Sequence, residues 1–123
     1  MSAFDSPSAI YLQIADRMQE QILTGAWQEG KRIPSIREMA AEVQVNPNTV
    51  MRAYAHLQEQ GVIFNRRGVG YFVSPEGKAR VCAMKQASFI ENRLPRLFHE
   101  AQLLGISPEQ LMKLYQAFRD EER

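Results

Sequence analysis

Residues 33–73 of the chain read IPSIREMAAEVQVNPNTVMRAYAHLQEQGVIFNRRGVGYFV, and this stretch decides the fold. It contains two short amphipathic helix patterns separated by a tight turn, then a glycine, and then a hairpin pattern with arginines at its tip. That order is typical of a winged helix-turn-helix, which places one helix in the major groove of DNA. We therefore predict a mostly α-helical fold with a small β-hairpin, in which a winged helix-turn-helix is followed by a helical dimerisation tail.

The first helix of the pair has a clear start. Ser35 and Glu38 have the S-x-x-E spacing of a capping box, in which each side chain bonds a backbone N–H group at the helix start. The apolar residues that follow have the spacing of a helix with one buried face, namely Ile36, Met39, Ala40 and Val43. The pattern stops at Gln44, where such turns often contain glycine, so a positive φ there would cost on the order of 1 kcal/mol.

The second helix follows almost at once. Asn46 is a favourable N-cap residue, Pro47 is tolerated as the first helical residue, and Gly61 is a suitable terminator. The apolar stripe of this helix consists of Val50, Ala53, Tyr54 and Leu57. Because the turn between the two helices is so short, they must cross rather than lie antiparallel, as in a helix-turn-helix.

The polar face of the second helix carries the candidate base readers. At about 100° per residue, Asn48 and Arg52 point away from the apolar stripe, and Thr49 flanks them. Arginine matches O6 and N7 of guanine, and asparagine matches N6 and N7 of adenine. We predict that these three residues read bases and that His56 contacts phosphate. The alternative is an ordinary solvated helix face that carries one arginine.

The hairpin supplies a second candidate contact with DNA. Residues 62–64 and 71–73 are short β-prone runs that flank a turn containing two glycines. Arg66 and Arg67 stand beside this turn, where they can reach phosphates or the minor groove next to the helix. The alternative is an arginine pair that only keeps the surface soluble, but its position after a helix-turn-helix favours a wing.

These motifs resemble the GntR family of bacterial transcription regulators. The resemblance rests on PSIREMA at residues 34–40 and on GVGYFV at residues 68–73. The upstream segments IYLQI at 10–14 and GAWQEG at 25–30 are also similar to the family, so that the match covers roughly residues 8–74. Several separated motifs agree in order and spacing, which makes the resemblance specific.

The resemblance implies DNA contacts at Arg37, at the start of the second helix and at the wing around Gly68. The NPNTV form followed by RAY is similar to the short YtrA-like branch of the family. Many members have arginines at the positions of Pro47 and Met51, so those arginine contacts are not carried over. The predicted DNA-binding residues are Ser35, Arg37, Asn46, Asn48, Thr49, Arg52, His56, Arg66, Arg67 and Gly68.

A helical tail is predicted for residues 76–123, after a winged domain that spans residues 1–75. Its apolar residues recur in steps of four and three, a seam that packs helix against helix. The predicted dimerisation residues are Ala87, Ile90, Leu94, Leu97, Phe98, Ala101 and Leu104. Pro95 predicts a kink or a restart of the helix near Leu94, and Ser107 caps a final helix. The alternative is a monomer whose tail folds back on the winged domain.

The predicted function is that of a sequence-specific DNA-binding transcriptional regulator. A homodimer matches a palindromic operator on double-stranded DNA, and repression is the default because a bound dimer blocks polymerase. The tail is too short for a large ligand-binding domain. Any small-molecule effector, whose existence and identity the sequence leaves open, should bind at the junction between the tail and the winged domain. The alternative is a winged-helix protein-interaction or assembly module without sequence-specific DNA binding.

Charge and composition agree with this prediction. The net charge is +1, but residues 31–73 hold six Lys and Arg against three Asp and Glu, so the positive excess lies on the predicted DNA-binding segment. No run approaches the ~20 apolar residues of a membrane helix, and the single Cys82 fits a reducing compartment, so we expect a cytoplasmic protein. We expect no enzyme activity, no cofactor and no metal site, because Cys82, His56 and His99 lack ligand spacing.

Overall fold

The computed structural model describes residues 7–122, and the predicted start of the winged domain at residue 1 lies outside the described residues. In chain order, the elements are α1 (Pro7–Leu23), α2 (Ile36–Val43), α3 (Pro47–Glu59), β1 (Ile63–Arg66), β2 (Gly70–Val73), α4 (Gly77–Ser88), a π-helical turn (Phe89–Arg93), α5 (Leu94–Leu103) and α6 (Pro108–Glu121). The predicted fold class, mostly α with a small β-hairpin, is confirmed. Within the described part of the chain, no helix is both long and apolar enough to span a membrane.

The described chain divides after Met84 into two compact units. The core of the first unit is built mainly by α1, α3 and the hairpin, and its most deeply buried large side chains are Met18, Ile22, Val50, Tyr54, Leu57, Val62, Ile63, Val73 and Val81. Val81 brings the first turns of α4 into this core, and Met84 packs against it. The division therefore falls within α4, whereas the sequence predicts a boundary between residues 75 and 76.

The capping box at the start of α2 is present. The Ser35 hydroxyl oxygen accepts a hydrogen bond of 3.1 Å from the Glu38 backbone N–H, and the Ser35 backbone N–H donates one of 2.9 Å to Glu38 Oε1. The Ser35 N–H, followed by its hydroxyl, holds the pKa of Glu38 below its ordinary value, because donors that face a carboxylate favour its charged form. The helix ends at Gln44, which has a φ of +55° and is the one non-glycine residue among those described with a positive φ.

The second helix of the pair is fixed by its cap and by a buried tyrosine. Asn46 caps α3 through its side chain, and Pro47 is the first helical residue, as predicted. Tyr54 is fully buried and donates a hydrogen bond of 2.6 Å to the backbone carbonyl of Pro34. Burial raises the pKa of this phenol above its ordinary value. The edge of the Tyr54 ring packs against Tyr71 of β2, with 4.8 Å between the ring centroids.

The hairpin is joined by a third extended segment that the sequence does not predict. The antiparallel pair β1–β2 runs from Ile63 opposite Val73 to Arg66 opposite Gly70. On the other side of β2, residues 30–33 pair with it: the Ile33 N–H donates to the Tyr71 carbonyl at 2.9 Å, and Arg32 forms a bridge with Phe72. The segment that leads into α2 therefore extends the wing sheet as a third strand-like segment beside β2.

The helical run of the tail passes through a widened turn before Pro95. The Leu94 N–H donates to the carbonyl of Phe89 five residues earlier, which is π-helical geometry, and Pro95 stands at the first turn of α5. Because proline has no N–H and its ring collides with the carbonyl four residues earlier, a wider turn relieves both problems. The predicted kink or restart near Leu94 takes the form of this π-helical turn, and Ser107 caps α6 by accepting a hydrogen bond of 3.1 Å from the Gln110 N–H.

The left-handed backbone at Gln44 predicts a gain in stability on substitution. Glycine adopts a positive φ without the clash that a Cβ atom makes, so Gln44→Gly should raise the free energy of unfolding by on the order of 1 kcal/mol. Gln44→Ala is the matched control, because it removes the side chain but keeps the strained Cβ. Urea unfolding curves at one protein concentration measure both variants. A glycine variant no more stable than the alanine variant would contradict the strain.

Candidate nucleic-acid interface

The N-terminal half of α3 has one buried face and one open face. Its buried residues are Val50, Ala53, Tyr54 and Leu57. Asn48 and Arg52 are exposed on the other side of the helix, and Thr49 is half-buried. Since the first turns of a recognition helix meet the base edges, the three predicted base readers lie at the end of α3 where such contacts are made.

Asn46 caps the start of α3, in addition to any contact with DNA. Its Oδ1 atom accepts a hydrogen bond of 2.8 Å from the backbone N–H of Asn48. This bond satisfies one of the N–H groups that a helix start leaves without a partner. The exposed Nδ2 group is available to donate to a phosphate oxygen, whereas paired bonds to adenine would break the cap.

Arg52 is held in place by a residue from another helix. The centre of its guanidinium group lies 4.3 Å from the ring centroid of Tyr11 in α1, a cation–π contact. One flat side of the guanidinium is therefore covered, while its N–H groups point outward in the plane and remain able to donate to guanine. Tyr11 is absent from the predicted site, because a contact between α1 and α3 leaves no spacing signal in the sequence.

His56 lies one turn further along α3 and belongs to the same contact with α1. Its ring meets Tyr11 edge-on at a centroid distance of 5.9 Å, and its Nε2 lies 3.2 Å from Nε2 of Gln60. The Gln60 Oε1 in turn accepts a hydrogen bond of 3.0 Å from Gln19 of α1. His56 is half-buried, so its described contacts join the two helices. Its contact with phosphate stays a prediction.

The start of α2 contributes the next two predicted residues. The Ser35 hydroxyl is occupied as acceptor in the capping box, but its hydrogen is still available to donate to an oxygen outside the protein. Arg37 is exposed in the first turn of α2. A phosphate at this helix start would meet an arginine together with backbone N–H groups that point outward.

The wing tip is an exposed turn. Gly68 has a φ of +79°, and the Val69 N–H closes the turn by donating to the carbonyl of Arg66 at 2.9 Å. Arg66 and Arg67 are both exposed, but they differ in surroundings. The guanidinium of Arg66 lies 5.1 Å from the ring centroid of Phe72, which limits its freedom. No corresponding ring contact involves Arg67 among the described residues.

The described residues offer no metal site. Between residues 7 and 122, no group of three or more His, Cys, Asp or Glu side chains could hold a metal ion. Cys82 is an exposed free thiol.

Comparison with known proteins identifies relatives over most of the chain. The model of the bacterial regulatory proteins of the gntR family matches residues 10–73. The chain is 36% identical to the HTH-type transcriptional repressor YtrA of Bacillus subtilis, an alignment that covers 86% of this chain and 81% of YtrA. It is 31% identical to the HTH-type transcriptional regulator YhcF of the same organism over 95% of both chains. These relatives confirm the prediction that the chain is not an enzyme.

Solved structures agree with these relatives. A GntR-family transcriptional regulator from Bacteroides thetaiotaomicron has a TM-score of 0.79 and 42% identity, covering 94% of this chain and 100% of that one. The DNA-binding domain of AraR, solved in complex with an operator, has a TM-score of 0.54 and 27% identity, covering 60% of this chain and 87% of that one. The winged helix-turn-helix, the matching family model and the similarity along almost the whole chain lead to one conclusion: this protein belongs to the GntR family of bacterial transcriptional regulators and carries the family's DNA-binding helix-turn-helix.

Proposed function

We propose that this protein is a sequence-specific repressor that binds a palindromic operator as a homodimer. The observation that carries the proposal is the open N-terminal face of α3, where Asn48 and Arg52 are exposed beside an exposed wing. An interaction module without base recognition would have no need for these groups in that arrangement. The AraR complex supports the same use of a similar fold, because that domain was solved with its operator.

The proposed recognition separates base reading from backbone contact. Arg52, steadied by Tyr11, donates paired hydrogen bonds to a guanine, while Asn48 and Thr49 contact neighbouring bases. Arg37 at the start of α2 and the wing arginines contact phosphates on either side of the groove. A cation that is already held in one orientation loses less entropy on binding than a mobile one, so the Tyr11 contact favours the specific complex.

Exposed apolar side chains support the proposed dimer. In the second unit, Ile90, Leu97, Phe98 and Leu104 of the predicted seam are each 46–69% exposed. Further apolar residues of this unit are also exposed, namely Phe89, Leu103, Met112, Leu114, Tyr115 and Phe118. Monomeric proteins rarely leave so much apolar surface in contact with water. A second copy of the same segment is the occupant that we propose, because two-fold symmetry in the protein matches a two-fold operator.

Two members of the predicted seam are less exposed than the others. Ala101 is only 6% exposed, and Leu94 is half-buried. Both contribute to packing within the described chain, which lowers the area that they can add to a dimer. Most of the proposed interface energy therefore comes from the exposed large residues of the seam, Ile90, Leu97, Phe98 and Leu104.

Repression follows from geometry in this proposal. A dimer that occupies two adjacent major-groove half-sites excludes polymerase from the same DNA, and the names of relatives such as YtrA, a transcriptional repressor, support this mode. A small-molecule effector would act by changing the distance between the two recognition helices. No residue in the chain identifies the effector.

Selection of binding sites from a random duplex library tests the proposed function, and a two-fold symmetric motif is the expected result. On that motif, Arg52→Ala should cost about 1–3 kcal/mol of specific affinity and relax the preference at one position in each half-site. The double variant of Arg66→Ala and Arg67→Ala should instead weaken binding to every sequence and flatten the salt dependence.

Gln58→Ala is the control for the α3 variant, because Gln58 is exposed on the same helix but lies near its other end. Fluorescence anisotropy with selected and random duplexes at several salt concentrations measures all four proteins. If Arg52→Ala weakened both duplexes equally, Arg52 would not be a base reader. Failure to enrich any motif would favour the interaction module.

Leu97→Asp tests the dimer. Burying a leucine is worth about 1.5–3 kcal/mol, and a carboxylate without a partner in the same place opposes association. We expect the variant to sediment as a monomer and to lose operator affinity, while the circular dichroism of the winged unit is retained. Gln102→Asp is the matched control, because it adds the same charge to an exposed position of α5. Wild-type protein that sediments as a monomer at micromolar concentration would refute the dimer, as would a monomeric Leu97→Asp variant with undiminished affinity.

A further inference from the structure

One face of the wing sheet does not contribute to the core. Paired residues in a sheet point to the same side, as do alternate residues along a strand. The register therefore places Arg32, Phe64, Arg66, Gly70 and Phe72 on one face. The buried residues of the sheet point to the opposite face, toward α3, and include Ile33, Ile63 and Val73.

An aromatic pair forms the floor of this outer face. Phe64 and Phe72 stack with 5.7 Å between their ring centroids and 22° between their planes. Both rings are half-buried, yet neither belongs to the set of partly buried apolar residues that pack against the core. The two rings pack against each other, and the guanidinium of Arg66 lies 5.1 Å from the Phe72 ring.

Arg32 lies on the same outer face and belongs to the segment at the other edge of the sheet. A Cβ atom built on Gly70 would lie 2.8 Å from Nε of Arg32, so the Arg32 side chain crosses the open space above this glycine. Arg66 is the direct partner of Gly70 on β1. The Arg32 guanidinium thus lies over Gly70, and the Arg66 side chain starts from the strand position opposite the same glycine on the same face. The φ of +144° at Gly70 disfavours a side chain at this position as well.

Two like charges on one small face favour an anion between them. Arg32 and Arg66 form no ion pair with any other described residue. Glu38 lies within electrostatic reach of Arg32, but its Oε1 is occupied by the Ser35 N–H. Both arginines are exposed, and planar guanidinium groups match phosphate oxygens by paired hydrogen bonds.

We propose that Arg32 and Arg66 form a phosphate clamp above Gly70, which binds a backbone phosphate of the operator next to the wing tip. This inference rests on the proposed function, since it names a further contact of the same DNA complex. The choice of a DNA phosphate rests on position: the clamp opens on an exposed sheet face, and Arg66 is followed directly by the tip residues Arg67 and Gly68. Arg32 lies outside the helix-turn-helix in sequence and reaches the wing only through its pairing with β2.

Arg32→Gln in the full-length protein tests the clamp. A lost phosphate contact lowers the salt slope of log affinity by about 1 per half-site, and we expect about tenfold weaker binding to the selected operator and to random duplex alike. Lys31→Gln is the matched control: it removes the same charge from the neighbouring residue, and it should change the slope by less than half as much. Gly70→Ala leaves the net charge unchanged but obstructs the Arg32 side chain, so it should reproduce the loss of slope, with a melting curve to verify folding.

The outcomes separate this inference from the proposed function. If Arg32→Gln and Lys31→Gln changed the slope equally, Arg32 would act only through general charge, and the clamp would be refuted even while Arg52→Ala still weakened specific binding. A second outcome would assign the site to free phosphate. In that case, millimolar inorganic phosphate would raise the melting temperature of the wild type but not of Arg32→Gln, and Arg32→Gln would bind DNA with the same salt slope as the wild type. This result would overturn the assignment to a DNA phosphate. A wild-type protein that bound no DNA at all would instead refute the proposed function.

Discussion

The Tyr54 hydroxyl donates a hydrogen bond of 2.6 Å to the Pro34 carbonyl, and this bond joins the recognition helix to the segment that leads into α2. Tyr54 belongs to α3, Pro34 leads into α2, and the edge of the Tyr54 ring meets Tyr71 of β2 at 4.8 Å. One fully buried side chain therefore fixes the recognition helix, the helix before it and the wing relative to one another. A buried hydroxyl without its partner would cost about 1–3 kcal/mol, so the arrangement has little freedom to change.

The same constraint explains how distant segments meet at the wing. Because Pro34 is held by Tyr54, the preceding residues run alongside β2, and the Ile33 N–H bonds the Tyr71 carbonyl at 2.9 Å. This pairing carries Arg32 to the outer face of the sheet, above Gly70. At the other end of the interface, Tyr11 of α1 meets Arg52. In both places, an arginine that we propose as a DNA contact is positioned by a different segment of the chain, which would preorganise the surface for binding.

The local features of the fold could be predicted from the sequence, since their causes lie within a few residues. The Ser35–Glu38 box and the Asn46 cap fix the starts of α2 and α3, and the helical pattern stops at the left-handed Gln44. The family resemblance identified the fold class as well. The position of the disturbance in the tail helix also followed from one residue, because Pro95 cannot continue a regular helix.

The features that the sequence did not predict depend on contacts between separate segments. Residues 30–33 are too few and too polar to predict a strand, and only β2 makes them extended. Tyr11 has the spacing of a buried helix face, so its contact with Arg52 became visible only once α1 and α3 were packed together. The proline predicts a disturbance of the helix but not its form, which is a π-helical turn that ends in the bond from Leu94 to Phe89.

Methylation interference on the selected operator tests the central claim, that α3 reads the major groove in two symmetric half-sites, most directly. Dimethyl sulfate modifies guanine N7 in the major groove and adenine N3 in the minor groove, so one experiment reports on both surfaces. The account predicts that N7 methylation blocks binding in two clusters centred about 10–10.5 base pairs, or a multiple of that distance, apart. Because the wing arginines are assigned to backbone phosphates, N3 methylation in the minor groove should interfere less than N7 methylation. Binding that tolerated N7 methylation at every guanine of the operator would contradict the account.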